Sequence, residues 1–119
     1  MRIAITSRGN DLDSAVDARF GRAEWFVYYD TDTKIFEAAN NEQQYNLPQG
    51  AGIQAATQVI DKGANVLLTG HCGPNAFQTL SAAGVNVVVN VGGRVKEVIE
   101  KFENGHYKPT DSADVEGHW

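Results

Sequence analysis

The chain has 119 residues, of which 42% are hydrophobic and 21% charged, and its formal net charge is −5. This length suits one domain, and the composition excludes wholesale disorder. The acidic balance argues against a general nucleic-acid-binding protein, which normally carries a basic face. One cysteine cannot form an internal disulfide, and no apolar run approaches the roughly 20 residues of a membrane span. We therefore expect a cytoplasmic protein with neither nucleic acid nor membrane as a partner.

The first half of the chain predicts three strands and two polar loops. Residues 2–6 have the apolar pattern of a short strand, and the polar stretch 7–23 is a long loop. Aromatic and β-branched residues over 24–29 are typical of a strand, and a polar turn returns the chain as a second hairpin arm over 34–38. Residues 40–49 form the second polar loop.

After residue 50 the pattern alternates between helix and strand. Apolar residues recur at helical spacing in three segments, and these end at Gly63, Gly84 and Gly105. Strands are predicted between the helices, at 66–69 and 85–89. The predicted inner faces are Ile53, Ala56, Val59 and Ile60 in the first helix, Ala76, Phe77, Leu80 and Ala83 in the second, and Val95, Val98, Ile99 and Phe102 in the third.

This order of elements predicts one α/β domain over 1–105, followed by a polar tail over 106–119. The domain has a five-stranded mixed sheet flanked by three helices. Right-handed crossovers make strands 1, 3, 4 and 5 parallel and leave strand 2 antiparallel. Loops that follow parallel strands emerge at one edge, where open α/β sheets bind their ligands. These loops are 7–23, 40–49, 70–73 and 90–93.

Basic residues are concentrated in those loops and at their margins. Arg8, Arg19, Arg22 and Arg94 all belong there, although the protein as a whole is acidic. Arginine forks and the amides that open helices are good donors to anions. We expect an anion pocket at this edge, with Gly92-Gly93-Arg94 opening the last helix beside it.

The run Gly70-His71-Cys72-Gly73-Pro74 lies between a predicted strand and a predicted helix. A thiolate and an imidazole at the opening of a helix can act as metal ligands or as an activated nucleophile. Equally, Cys72 can be a small buried residue and His71 a histidine satisfied by backbone. A structural zinc site is disfavoured, because zinc takes four ligands and no second Cys/His cluster exists.

The run Asp17-Ala18-Arg19-Phe20-Gly21-Arg22 also has two interpretations. As a simple turn, Asp17 pairs with Arg19, Phe20 plugs the edge of the core, and Gly21 takes a positive φ. As a binding loop, it presents its two arginines to an anionic ligand.

Four motifs in order resemble the dinitrogenase iron–molybdenum cofactor biosynthesis family. They are Met1–Ser7, Val16–Ala23, Gln49–Gly52 and Thr69–Pro74, and the resemblance covers about residues 1–105. The family includes NifX, NifY, the C-terminal domain of NifB, and small stand-alone members of anaerobes such as the orange protein. Its sheet is similar to that of ribonuclease H, without that enzyme's acidic site.

The resemblance implies a non-enzymatic carrier of an anionic metal–sulfur cluster, of the iron–molybdenum or molybdenum–copper type. Such clusters need soft ligands and cationic surroundings. One cysteine is too few for a conventional iron–sulfur cluster, which takes four, so binding is electrostatic, uses one or two ligands, or bridges two chains. Partners are then the proteins that donate and accept the cluster, with the chain a monomer or weak dimer. The implied contacts are Arg19, Phe20, Gly21, Arg22, Gly70 and Gly73, with His71 and Cys72 as metal ligands. The place of Arg94 among the loops at the same edge adds it to this set.

Two other functions remain open at this point. The loops and the polar tail could instead contact a protein partner such as an ATPase, which would make the chain a regulatory module. Alternatively, Cys72 could be the nucleophile of an enzyme, with His71 or a neighbour as its base.

Overall fold

A computed structural model describes residues 1–41 and 51–108 of the chain. Within these residues the elements follow the predicted order, with most ends shifted by one or two residues. Residues 42–50, which hold most of the second predicted loop, and 109–119, which hold most of the tail, lie outside the described residues. The elements are β1 (Arg2–Ser7), β2 (Trp25–Asp30), β3 (Phe36–Asn40), α1 (Ala51–Asp61), β4 (Val66–Leu68), α2 (Pro74–Ala82), β5 (Asn86–Val88) and α3 (Val95–Glu103).

The sheet has the strand order β3-β2-β1-β4-β5. β2 is antiparallel to both β1 and β3, while β1, β4 and β5 are mutually parallel. The predicted orientations are therefore confirmed. Ile5 pairs with Leu68 and Leu68 with Val88, so the carboxyl ends of these three strands are level. The loops that follow β1, β4 and β5 consequently begin side by side.

Alternating strand residues supply two hydrophobic layers, one on each face of the sheet. Ala4, Phe26 and Leu67 pack with α1 and α2, whereas Ile5 and Leu68 pack with α3. All five side chains are fully buried. Each large apolar side chain contributes about 1.5–3 kcal/mol by leaving water. The central strands are thus held on both faces, which makes their ends a rigid base for the loops.

The predicted inner face of α3 is confirmed, but the predicted faces of α1 and α2 each include one residue that is exposed. Ile53 is 41% exposed, because α1 turns its alanines and Val59 toward the sheet. Small side chains let this helix approach closely, so the largest apolar residue does not mark the buried side. Ala83 is exposed because it is the C-cap of α2 and lies past the helical stripe.

Glycines end the helices as predicted. Gly63, Gly84 and Gly105 have φ values of 76°, 83° and 77°, in the left-handed region that suits glycine after a helix. Gly63 and Gly84 return the chain toward β4 and β5, and after Gly105 the Tyr107 side chain packs against the layer that faces α3. None of the helices in the described ranges is both long and apolar enough to cross a membrane.

Candidate functional site

The loop after β1 carries the first motif in a tight turn around Asp17. This carboxylate is 5% exposed, and its Oδ1 accepts a hydrogen bond of 3.0 Å from the Arg19 amide. The Arg19 Nε lies 3.8 Å from the same oxygen. Phe20 is fully buried, with its ring centroid 5.6 Å from that of Phe26. The expected Asp17–Arg19 pair and the core position of Phe20 are both confirmed.

The expected positive φ at Gly21 is wrong. Among the described glycines, positive φ occurs at Gly63, Gly84, Gly93 and Gly105 only. Gly21 lies in a turn that the Ala23 amide closes by donating to the Phe20 carbonyl at 3.4 Å, and the common form of such a turn needs no left-handed residue. Gly21 is instead buried beneath the loop.

The second motif leaves β4 at a position where only glycine fits. A Cβ atom built on Gly70 would lie 2.6 Å from both Cα and O of Ala18, a distance that real Cβ atoms do not show. The missing side chain thus lets the first loop lie directly on the end of β4. Gly73 is the N-cap of α2, and Pro74 occupies its first turn, where proline costs no hydrogen bond.

Backbone hydrogen bonds join the two motifs. The His71 amide donates to the Ala18 carbonyl at 2.7 Å, and the Phe20 amide donates to the His71 carbonyl at 3.2 Å. This is a short parallel bridge that pairs Arg19 with His71. The Arg19 side chain is 50% exposed, and His71 is partly exposed. The backbone therefore pairs a residue that carries a guanidinium with one that carries an imidazole, just before the first turn of α2.

The loop after β5 closes the arrangement from the other side. The Asn90 amide donates to the Gly70 carbonyl at 2.8 Å, and the Val16 amide donates to the Gly93 carbonyl at 2.8 Å. Arg94 Nη1 donates to the Asp13 carbonyl at 3.0 Å. The Arg94 guanidinium thus holds the first loop against α3, and its assignment as an anion contact stays a prediction.

An ion pair strengthens the same contact. Lys96 Nζ lies 2.8 Å from Asp13 Oδ1. The hydrogen bond and positive charge of Lys96 hold the pKa of the Asp13 carboxyl below its usual value, and Asp13 in turn raises the pKa of Lys96. Both groups are exposed, so this pair contributes little to the free energy of unfolding.

The predicted site residues divide into a surface set and a buried set. Cys72 is fully buried in the layer beneath α2, and its Sγ lies 3.7 Å from the carbonyl oxygen of Gly73. Its assignment as a metal ligand stays a prediction that would require the first turn of α2 to move. In residues 1–41 and 51–108, no three His, Cys, Asp or Glu side chains form a group that could hold a metal ion. The surface set consists of Arg19, Arg22, His71 and Arg94. The buried set consists of Phe20, Gly21, Gly70, Cys72 and Gly73.

Two threonines that the sequence analysis did not single out lie directly under the site. Thr6 and Thr69 end the apolar runs of neighbouring strands, and both are fully buried. Thr6 Oγ1 is 2.6 Å from the Asp17 carbonyl oxygen and 2.9 Å from Thr69 Oγ1. The available signal was a polar residue at the same position of two adjacent parallel strands.

Comparisons with known proteins agree with this architecture. Residues 1–105 match the model of the family described as "Dinitrogenase iron-molybdenum cofactor". The chain belongs to this family. None of the functionally curated proteins matches it significantly.

Solved structures of similar proteins cover nearly the whole chain. The apo form of the orange protein from Desulfovibrio gigas is 42% identical, with a TM-score of 0.93 and 96% of each chain covered. A putative NifB protein from Thermotoga is 39% identical, with a TM-score of 0.84 and 98% of each chain covered. The dinitrogenase cofactor family fold thus extends over both motifs described above.

Proposed function

We propose that this protein is a non-enzymatic carrier of an anionic metal–sulfur cluster, bound at the carboxyl edge of the sheet. The observation that carries the proposal is the bridge between Arg19 and His71. It joins the two family motifs at the point where α2 begins. Family membership supports the cofactor-related role, and the chemistry of the edge supports an anionic cargo.

The edge offers donors of the kind that a sulfide-rich anion needs. The Arg19 guanidinium is half exposed, and Arg22 lies in the same loop with partial exposure. The first turn of α2 has no acidic residue, so the partial positive charge of its amides is not offset there. His71 adds an imidazole that can donate to a sulfide or ligate a metal.

Burial of Cys72 bears on how the cargo is held. With Sγ enclosed in the hydrophobic layer, the described arrangement favours a cluster held by charge and hydrogen bonds over one held by the thiolate. The same burial gives the nucleophilic-cysteine hypothesis little support, because a substrate has no path to the sulfur. The carrier proposal therefore does not depend on Cys72 as a ligand.

A carrier of this kind needs proteins that donate the cluster and proteins that accept it. We infer that these are the components of metallocluster assembly and that exchange takes place in the cytoplasm. The half-exposed Arg19 and the partly exposed Arg22 are suited to this, since a cargo held at the surface can pass between proteins without unfolding of the carrier. A monomer or a weak dimer would leave the edge open.

Anaerobic titration with tetrathiomolybdate and copper, and separately with an iron–sulfur cluster source, tests the proposal. We expect the wild-type protein to retain colour and metal in stoichiometric amount after desalting. Each of Arg19→Ala and Arg22→Ala should weaken binding by about 10- to 150-fold, the value of a charge-assisted hydrogen bond of roughly 1.5–3 kcal/mol.

Two controls make the result specific. Lys101→Ala removes one exposed positive charge from α3, outside the proposed contact set, and should leave binding unchanged. Cys72→Ala distinguishes a cluster held by charge and hydrogen bonds from a cluster held by the thiolate, because the substitution abolishes binding only if the thiolate is a ligand. A wild-type protein that leaves the column colourless and metal-free would overturn the proposal.

A further inference from the structure

Beneath the proposed anion site lies a buried pair of hydroxyl groups. Thr6 ends β1 and Thr69 follows β4, and neither side chain is exposed. Buried hydroxyls are costly unless they are hydrogen-bonded, and valine has nearly the same shape without that cost. Both groups here are bonded, at 2.6 Å from Thr6 to the Asp17 carbonyl and at 2.9 Å between the hydroxyls.

The chemistry of the three groups fixes the direction of the bonds. A carbonyl oxygen can only accept, so the single hydroxyl proton of Thr6 is donated to the Asp17 carbonyl. The remaining bond must then run from the Thr69 hydroxyl to the Thr6 oxygen. The order is Thr69 to Thr6 to Asp17, from one central strand through the next to the first loop.

Asp17 connects this chain of bonds to the surface of the site. Its amide also donates to the Thr6 carbonyl at 3.0 Å, so backbone and side chain of one threonine hold one residue of the loop. Its carboxylate accepts the Arg19 amide at 3.0 Å and lies 3.8 Å from the Arg19 Nε. A continuous run of hydrogen bonds thus leads from two buried hydroxyls to the residue whose carboxylate holds the Arg19 turn.

We propose that Thr6 is a positioning residue for the anion site and that Thr69 orients its hydroxyl. This rests on the proposed function for its binding readout. Without the Thr6 hydroxyl, the Asp17 carbonyl loses a donor, and the turn that carries Arg19 samples other arrangements. Ligand binding must then first restore the turn, which lowers affinity.

The test compares dissociation constants for tetrathiomolybdate in Thr6→Val, Thr6→Ser, Thr69→Val and the wild type. Thr6→Val should weaken binding about tenfold, the effect of one lost hydrogen bond, and Thr6→Ser should restore it to within about twofold. The dissociation constant of Thr69→Val should lie between those of Thr6→Val and Thr6→Ser. Thr57→Val is the matched control, since it removes an exposed hydroxyl that bonds the Ile53 carbonyl in α1.

A merely structural threonine would behave differently. It would lower the thermal unfolding midpoint in Thr6→Val and leave the dissociation constant unchanged, and that result overturns the inference. The inference is also overturned if Thr6→Ser binds tetrathiomolybdate as weakly as Thr6→Val does, because the hydroxyl group then does not position the turn.

Amide hydrogen exchange separates failure of this inference from failure of the proposed function. If the wild type binds no probe, the proposed function fails, but the positioning is still measurable. The Arg19 and His71 amides donate hydrogen bonds to Asp17 and Ala18 of the first loop. Thr6→Val should speed their exchange more than it speeds exchange of the Leu67 amide in β4. Equal acceleration at all three, or none, would contradict a positioning role.

Discussion

Helices α2 and α3 both begin at the carboxyl edge of the sheet, but their first turns are used differently. In α3, Glu97 accepts the Arg94 amide at 2.9 Å and places an acid in the first turn. The Val95 and Lys96 amides donate to the first loop at 2.9 Å. The opening of this helix is thereby occupied by the protein itself.

Among residues 1–41 and 51–108, the opening of α2 shows neither feature. Its N-cap is Gly73, whose lack of a side chain leaves no capping group there, and its first turn carries no acid. Half-exposed Arg19 and partly exposed His71 lie next to it through the backbone bridge. Relative to Ser, Thr, Asp or Asn at this position, a glycine N-cap gives up only about a few tenths of a kcal/mol. The difference shows that α3 secures the loop, and it supports our proposal that the opening of α2 receives an anion.

The largest effect is expected where the two motifs touch. Gly70→Ala would push a methyl group to within 2.6 Å of the Ala18 backbone, which cannot yield as a flexible side chain does. We expect a loss of about 1–3 kcal/mol in unfolding free energy and loss of anion binding, because the first loop is lifted off β4. Chemical denaturation and the tetrathiomolybdate titration measure the two effects.

Gly92→Ala is the matched control for that experiment. A Cβ at Gly92 meets nothing within 4 Å, and the residue does not have a positive φ. It lies in the loop that belongs to α3, so both stability and binding should stay near the wild type. If Gly70→Ala were equally harmless, the close contact between the motifs would not be needed for the site.

A smaller effect should follow from giving the first turn of α2 an acidic residue, which the first turn of α3 already has. Asn75→Glu places an acid in the first turn of α2, at an exposed position. It should add about 0.3–1 kcal/mol of stability through the helix dipole and at the same time weaken anion binding. Stability and affinity then move in opposite directions, which thermal unfolding and titration can record on one sample.

The converse change is Glu97→Gln in α3. It reduces the charge of the capping group that accepts the Arg94 amide, and we expect about 0.5–1 kcal/mol lower stability with unchanged affinity. Should Glu97→Gln alter affinity as strongly as Asn75→Glu, the distinction between the two helices would be lost.

The smallest effect concerns pH. Lys96 lowers the pKa of Asp13, so this ion pair stabilises the folded state above the unfolded pKa of about 3.9 and is lost as pH falls through the lower folded value. Below about pH 4, amide chemical shifts on the α3 side of the first loop should move as the Asp13 carboxylate takes up its proton. Asp13→Asn should abolish this change; a change that persists would assign it to another group.

Much of the fold was predictable because its signals are local. Strand alternation, helical spacing and the glycine stops are read within a few residues, and the right-handed crossover then sets the orientation of the strands. The edge with its arginines followed from that topology. The face of α1 was mispredicted at Ile53, because alanines let the helix approach and only the neighbouring sheet decides which side is buried.

The interior of the site was less predictable, since it depends on contacts distant in sequence. Thr6 and Thr69 are 63 positions apart, and the polar residue that ends each apolar run indicates a shared bond only once β1 and β4 are known to be paired. The burial of Cys72 depends on how α2 packs on the sheet. Gly70 could be recognised as a turn residue, but its contact with Ala18 is visible only in three dimensions.

The most direct test of the anion site is a chemical-shift map of the backbone amides during anaerobic titration with tetrathiomolybdate. We predict saturable shifts at Arg19, Arg22, His71 and the first turn of α2, with little change at Val95 and Lys96 in α3. Shifts centred on α3, or spread evenly over the surface, would contradict the account.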